Sequence, residues 1–151
     1  MSLNIHLSYF AVENPFTHFD RWLHPYCYSQ WIALNHRNLE LRWTRRAQHQ
    51  LEQLDAKLTI ELQLYFSCVV KKRVLFHRQV DYPATSVNDK LALVFRPIAS
   101  SACDPQILAR DFPEGKDLSA GPASKMVPKR VEFDFRGGHF GAGHWSGQFN
   151  C

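Results

Sequence analysis

Leu58-Thr59-Ile60-Glu61-Leu62-Gln63-Leu64-Tyr65-Phe66-Ser67-Cys68 alternates apolar and polar side chains without a break. Successive side chains on a strand point to opposite faces, so this period of two defines a β-strand with one apolar and one polar face. Clean alternation is the mark of an antiparallel sheet covered on one side only, with Thr59, Glu61, Gln63 and Tyr65 on the solvated side. The basic run Lys71-Lys72-Arg73 follows, and Val74, Phe76 and Val80 resume the apolar pattern on the same parity. A hairpin with an odd-residue loop keeps that parity and pairs Cys68 with Val74 and Phe66 with Phe76. No Asn-Gly turn marks the loop, so one long bent strand is the alternative.

Upstream, Trp43, Ala47, Leu51 and Leu54 recur at spacings of four, four and three among good helix formers, which predicts the clearest helix over Arg42–Ala56. Further back, Leu3, Ile5, Leu7 and Tyr9 alternate as a first strand. Asn14-Pro15 is a cap followed by proline at the first helical position, and Phe16, Phe19 and Leu23 continue a short helix that Pro25 ends. A second short helix is expected within Tyr26–His36. The aromatic residues of this region, Phe10, Phe16, Phe19, Trp22, Tyr26, Tyr28 and Trp31, are expected to pack over a sheet face. A pocket or a partner interface is the functional alternative.

Downstream, Leu91–Arg96 reads as a further strand that Pro97 ends or forces to an edge. A proline-rich connection at about 97–129 carries at most one short helix, capped by Asp104 with Pro105 at its first position. The last segment, Arg130–Cys151, holds five of the seven glycines. It builds as a hairpin turning at Gly137-Gly138, pairing Phe135 with Phe140, Phe133 with Ala142 and Val131 with His144.

A chain of 151 residues with 45% hydrophobic and 13% aromatic content supports one ordinary core. The expectation is a single α+β domain over 1–151: a mainly antiparallel sheet of about five or six strands, one clear helix, and short N-terminal helices packed on one face. No charged leader with an apolar run and no stretch of membrane-spanning length is visible, so a soluble, cytoplasmic protein with no membrane contact is expected. The four cysteines are widely spaced and read as free thiols. A net charge of +4 mildly favours acidic partners.

Chemistry concentrates in a few places. His139, His144 and Cys151 are zinc ligand types, and Cys68, with His77 nearby, would have to complete the set, because no close cysteine pair exists. Zinc is therefore the candidate cofactor. Cys103, beside the Asp104-Pro105 helix start, is the candidate nucleophile, with His77 or His139 as the base it would need. Gly138, Gly141 and Gly143 mimic part of a phosphate loop, but no helix can follow them, which removes nucleotide binding of that type. A single Arg-Gly-Gly triplet and one exposed-face tyrosine are too little for a nucleic-acid platform, leaving weak nucleic-acid binding as a distant alternative. The residues favour a small binding or accessory protein, acting on a protein partner or a small ligand. The rival is a metal- or thiol-dependent enzyme using the C-terminal histidines with a cysteine.

Overall fold

The computed structural model describes residues 15–67, 70–101 and 104–146. The expected strand at Leu3–Tyr9 lies outside them. Two sheets replace the single antiparallel sheet. The first contains β1 (Tyr28–Leu34), β2 (Arg37–Trp43), β8 (Arg130–Arg136) and β9 (His139–Ser146), in the order β1-β2-β8-β9. The second is ordered β4-β3-β6-β5, from β3 (Leu58–Phe66), β4 (Val70–His77), β5 (Thr85–Ser86) and β6 (Leu91–Ser100), with β7 (Gly115–Asp117) also on β6. Each sheet is mixed, because β2 runs parallel to β8 and β3 runs parallel to β6.

Connectivity explains both parallel pairs. β3 and β4 form a hairpin, and the chain then crosses over β3 through residues 78–90 before entering β6 on its other side. That crossover covers the face that alternation assigns to solvent. Tyr82 of the crossover bonds Glu61 and the Phe112-Pro113 stretch packs on Tyr65, so Thr59, Glu61, Gln63 and Tyr65 are buried, as are the apolar residues between them. In the first sheet, the β1–β2 and β8–β9 hairpins are joined edge to edge after the whole second sheet has intervened.

The sheets pack face to face. Leu39, Leu41, Val131 and Phe133 from one and Ile60, Leu62, Leu64, Leu91 and Leu93 from the other are fully excluded from solvent. Each such side chain contributes about 1.5–3 kcal/mol through burial. Rings from Tyr28 through Trp43 and Phe133 to Phe76 and Phe140 stack or tilt at centroid spacings of 5.7 to 6.2 Å. At one side of the sandwich, Gln30 donates to the Val87 carbonyl at 2.6 Å, tying β1 to the β5 region. At the other, Lys72 of β4 donates to the Trp145 carbonyl of β9 at 3.3 Å.

Several local expectations change. Tyr26–His36 is not helical: β1 and β2 are joined by a two-residue turn in which Asn35 and His36 both have positive φ, 50° and 62°. This is the hairpin pattern that matches strand twist, and asparagine tolerates it well. The clear helix is α2 (Arg45–Glu52), shorter than Arg42–Ala56. Trp43 is claimed by β2, where its ring stacks on Tyr28 and Phe133, and Thr44 caps the helix by accepting from the Ala47 N–H. The β3–β4 loop is odd, as parity requires, but short. Phe66 pairs with Val70 and Ile60 with Phe76, so Lys71, Lys72 and Arg73 lie within the strand. Lys71 and Arg73 sit over the Phe112 ring at 4.7 and 4.6 Å, a packing that carries their charge without a loop.

Pro97 does not end β6. Its carbonyl accepts from Leu118, so its nitrogen faces the same side, between the β5 and β7 pairings, and no bond to β3 is lost. The connection to β8 contains α3 (Pro105–Arg110), capped by Asp104 as expected, together with β7 and a 3-10 turn at Pro122–Lys125.

The hairpin at Gly137-Gly138 forms, with φ of 61° and 84° at the two glycines. Phe135 pairs with Phe140 and Phe133 with Ala142, but a bulge at Gly143 shifts the register beyond. Val131 meets Trp145 rather than His144, whose backbone pairs with Glu132. Trp145 thereby packs against the core.

Helix α1 (Pro15–Leu23) starts at the expected proline, but it does not cover a sheet with its rings. Phe16, Phe19, Trp22 and Leu23 are 77, 59, 75 and 51% exposed. Polar contacts hold the helix instead, through Asp20 to Arg46 and Arg136. Among the described residues, no helix is long and apolar enough to cross a membrane.

Candidate functional site

Among the described residues, two regions stand out for side chains capable of chemistry, and they differ in how completely those side chains are paired. The first lies on the outer face of the second sheet. Glu61, at the middle of β3, is only 2% exposed. Its Oε2 accepts from the Tyr82 hydroxyl at 2.7 Å and lies 2.7 Å from His77 Nε2. Its Oε1 accepts from Gln63 Nε2 at 2.7 Å and from Arg96 Nη1 at 3.1 Å. Burial pushes the Glu61 carboxyl up, but the bonds from Gln63, Tyr82 and His77 and the charge of Arg96 together hold it below its ordinary value. The Tyr82 phenol responds in the opposite sense. Burial and its bond to the carboxylate push it up to about 12. Arg96 also reaches Asp117 at 3.6 Å, and its guanidinium lies 5.3 Å from the Tyr82 ring centroid.

Each carboxylate oxygen thus has two partners, and nothing is left to receive a proton from a substrate. A similar arrangement holds Asp134 of β8. Arg46 grips both carboxylate oxygens, Nε bonding Oδ1 at 2.8 Å, while Thr44 and the Phe135 N–H also donate to Oδ1. Burial pushes Asp134 up, and these donors with the Arg46 charge bring it below its ordinary value. Asp20 extends the network to α1, its Oδ2 accepting from Arg46 at 3.1 Å.

The second region is a cleft of about 420 Å³ on the side of the sandwich where β4 approaches the β8–β9 turn. Phe76, Phe135 and Phe140 form its aromatic wall, with Leu54 and Leu58 at the α2 end. The Phe135 and Phe140 rings meet edge to face at 4.9 Å, and Phe76 stacks on Phe140 at 5.9 Å. The strands explain this concentration of rings. Pairing Phe135 with Phe140 puts both on one face at the very end of a hairpin, where they are only partly buried against the core. Gln50, Arg78 and His139 supply the polar rim. His139 Nδ1 lies 3.2 Å from the Gly137 carbonyl, which orients the ring across the turn. Pockets of this size and mixed lining are the usual form of small-molecule sites.

Of the residues nominated from sequence, only His77 and His139 have described side chains, and these two do not converge. His77 stands with Glu61 on the outer face of the second sheet, whereas its neighbours Phe76 and Arg78 line the cleft with His139. His77 and His139 therefore belong to different faces, as strand alternation dictates. Cys68, Cys103 and Cys151 lie outside the described residues, as does the side chain of His144. Among the described residues, no three His, Cys, Asp or Glu side chains are arranged to hold a metal ion. Sequence reasoning missed Glu61, Tyr82, Arg96 and Arg78. The signal for Glu61 was present as a lone carboxylate at the centre of the most regular strand, but its partners come from a crossover with no motif. No family model, curated protein or solved structure matches this chain.

Proposed function

We propose that this chain is a small binding protein and that the cleft walled by Phe76, Phe135 and Phe140 is its ligand site. The observation that carries this reading is an aromatic-walled cleft of about 420 Å³ left open where two otherwise well-packed sheets meet. The carboxylates Glu61 and Asp134 support binding over catalysis, because both are saturated by fixed donors. The test uses a neutral apolar fluorophore, N-phenyl-1-naphthylamine, titrated into the protein. Saturable enhancement is expected, and Gln50→Trp, which fills the cleft from the half-buried rim, should abolish it while leaving the fold intact by circular dichroism. Equal enhancement in both proteins would move the dye, and the proposed site, elsewhere.

A second reading, an accessory protein that docks another chain, is favoured by the exposed Phe16, Phe19, Trp22 and Leu23 side chains of α1. Replacing Phe19 and Trp22 by serine should then remove a co-purifying partner without altering the thermal transition. An unchanged set of co-purifying proteins would eliminate it.

A further inference from the structure

The cleft's lining defines the charge of what it would hold. Its polar rim consists of Arg78, His139 and Gln50, and among the described residues no aspartate or glutamate lines it. Arg78 is exposed at the mouth, immediately after β4 ends, and makes no hydrogen bond or ion pair with any described residue. It differs in this from Arg42, Arg46, Arg96, Arg130 and Arg136, each of which meets a carboxylate. Arginine presents a planar fork suited to two-pronged recognition of a carboxylate, and its weak hydration lowers the cost of bringing it against apolar surface. Behind it, the wall is three phenylalanine rings and aliphatic carbon. A ligand matching both parts carries one negative group at an end and a flat or linear apolar body behind it.

Resting on the cleft as the ligand site, we propose that its ligand class is an organic monoanion, a carboxylate on an aryl or acyl body, with Arg78 as the residue that pairs its charged end. The apolar body lies against Phe76, Phe135 and Phe140, and the carboxylate stays at the mouth, where water solvates the lone pairs that Arg78 leaves open. The carboxylate needs no deep desolvation in this placement, which removes the largest opposing cost of binding a charge. His139 is a weaker contributor. If its Nδ1–H donates to Gly137, the other nitrogen of the neutral ring is an acceptor and offers the carboxylate no donor.

The experiment displaces N-phenyl-1-naphthylamine with a pair of near-isosteric probes, naphthalene-2-carboxylate and the neutral 2-naphthalenemethanol. The carboxylate should displace the dye at about tenfold lower concentration than the alcohol, as expected for one charge-assisted pair at a partly wet mouth. Added sodium chloride should weaken the carboxylate and not the alcohol. Arg78→Met keeps an apolar stem and removes the charge, so it should erase the preference while leaving the alcohol unchanged. Arg78→Lys should retain part of it. Equal displacement by the two probes in the native protein would overturn the anion assignment and leave the cleft standing. Failure of the protein to bind the dye or either probe would overturn the cleft and the anion assignment together.

Discussion

Glu61 and Arg78 lie one strand apart, and their surroundings are opposites. Glu61 is 2% exposed and is met by Gln63 of β3, His77 of β4, Tyr82 of the crossover and Arg96 of β6. Arg78 is exposed at a cavity mouth and pairs with no described residue. The denser cluster looks more like a site of chemistry, but its density is what disqualifies it. Every lone pair that could act on a substrate already has a donor. Such a knot holds the 78–90 crossover down on the sheet and so fixes one wall of the sandwich. Recognition capacity lies where a charge beside an apolar surface has been left unmatched.

The contrast is broken most directly by deleting its paired member. Glu61→Ala should destabilise the fold by about 3 kcal/mol, because it strands the donors of Gln63, Tyr82 and His77 and leaves Arg96 with Asp117 alone. His77 and Arg96, each one-third exposed, can turn partly to water, which keeps the loss at the lower end of the range for buried pairs. Urea unfolding followed by tryptophan fluorescence measures it. A loss under about 1 kcal/mol would mean that the cluster does not hold the crossover.

A finer probe is acid. Glu61 and Asp134 both have folded-state values below their ordinary 4.5 and 3.8. Their contribution is therefore complete above those values and is lost as pH falls through them toward the folded-state values. The melting temperature should hold near neutrality and drop on acidification from about pH 5 downward. Glu61→Gln keeps the shape but not the charge, so the variant should start lower and lose less on acidification. An acid limb identical to that of the native protein would place the titrating group elsewhere.

The alkaline side tests the same knot through its phenol. Tyr82 is raised from 10.0 to about 12, so the folded state keeps its proton longer than the unfolded chain. That contribution is full below pH 10.0 and declines as pH rises through 10.0 toward about 12. Tyr82→Phe should flatten this decline. The effect should be smaller than the acid one, since Tyr82 is only half-buried and one of four donors.

The two hairpin turns of the first sheet show what was legible and what was not. Gly137-Gly138 announces its positive φ by composition, because only glycine occupies that region freely, and both its position and the Phe135–Phe140 pair follow from the sequence. Asn35-His36 adopts the same geometry with residues that merely tolerate it, so the aromatic residues around it read as a helix. β3 was legible from its period, but a period fixes faces and not neighbours. The split into two sheets and both parallel pairings depend on where crossovers travel, and no local pattern records that. For the same reason His77 and His139 could be named but not placed. The cleft depends on a hairpin end meeting a foreign strand edge, a relation between Phe76 and Phe140 that is 64 residues long in sequence and 5.9 Å in space.

The smallest effect is the most discriminating. Arg78 is exposed, touches no charge among the described residues, and follows β4 at a bend, so nothing in the fold depends on its guanidinium. Arg78→Met should shift unfolding stability by less than about 0.5 kcal/mol in urea, the ordinary range for a surface position. A neutral result alongside the large loss at Glu61 would separate the two regions by role, one holding the fold and the other free to bind. A loss comparable to that at Glu61 would mean that Arg78 holds the sheet edges together across the mouth, and the unmatched charge would then be a structural strut rather than a ligand contact.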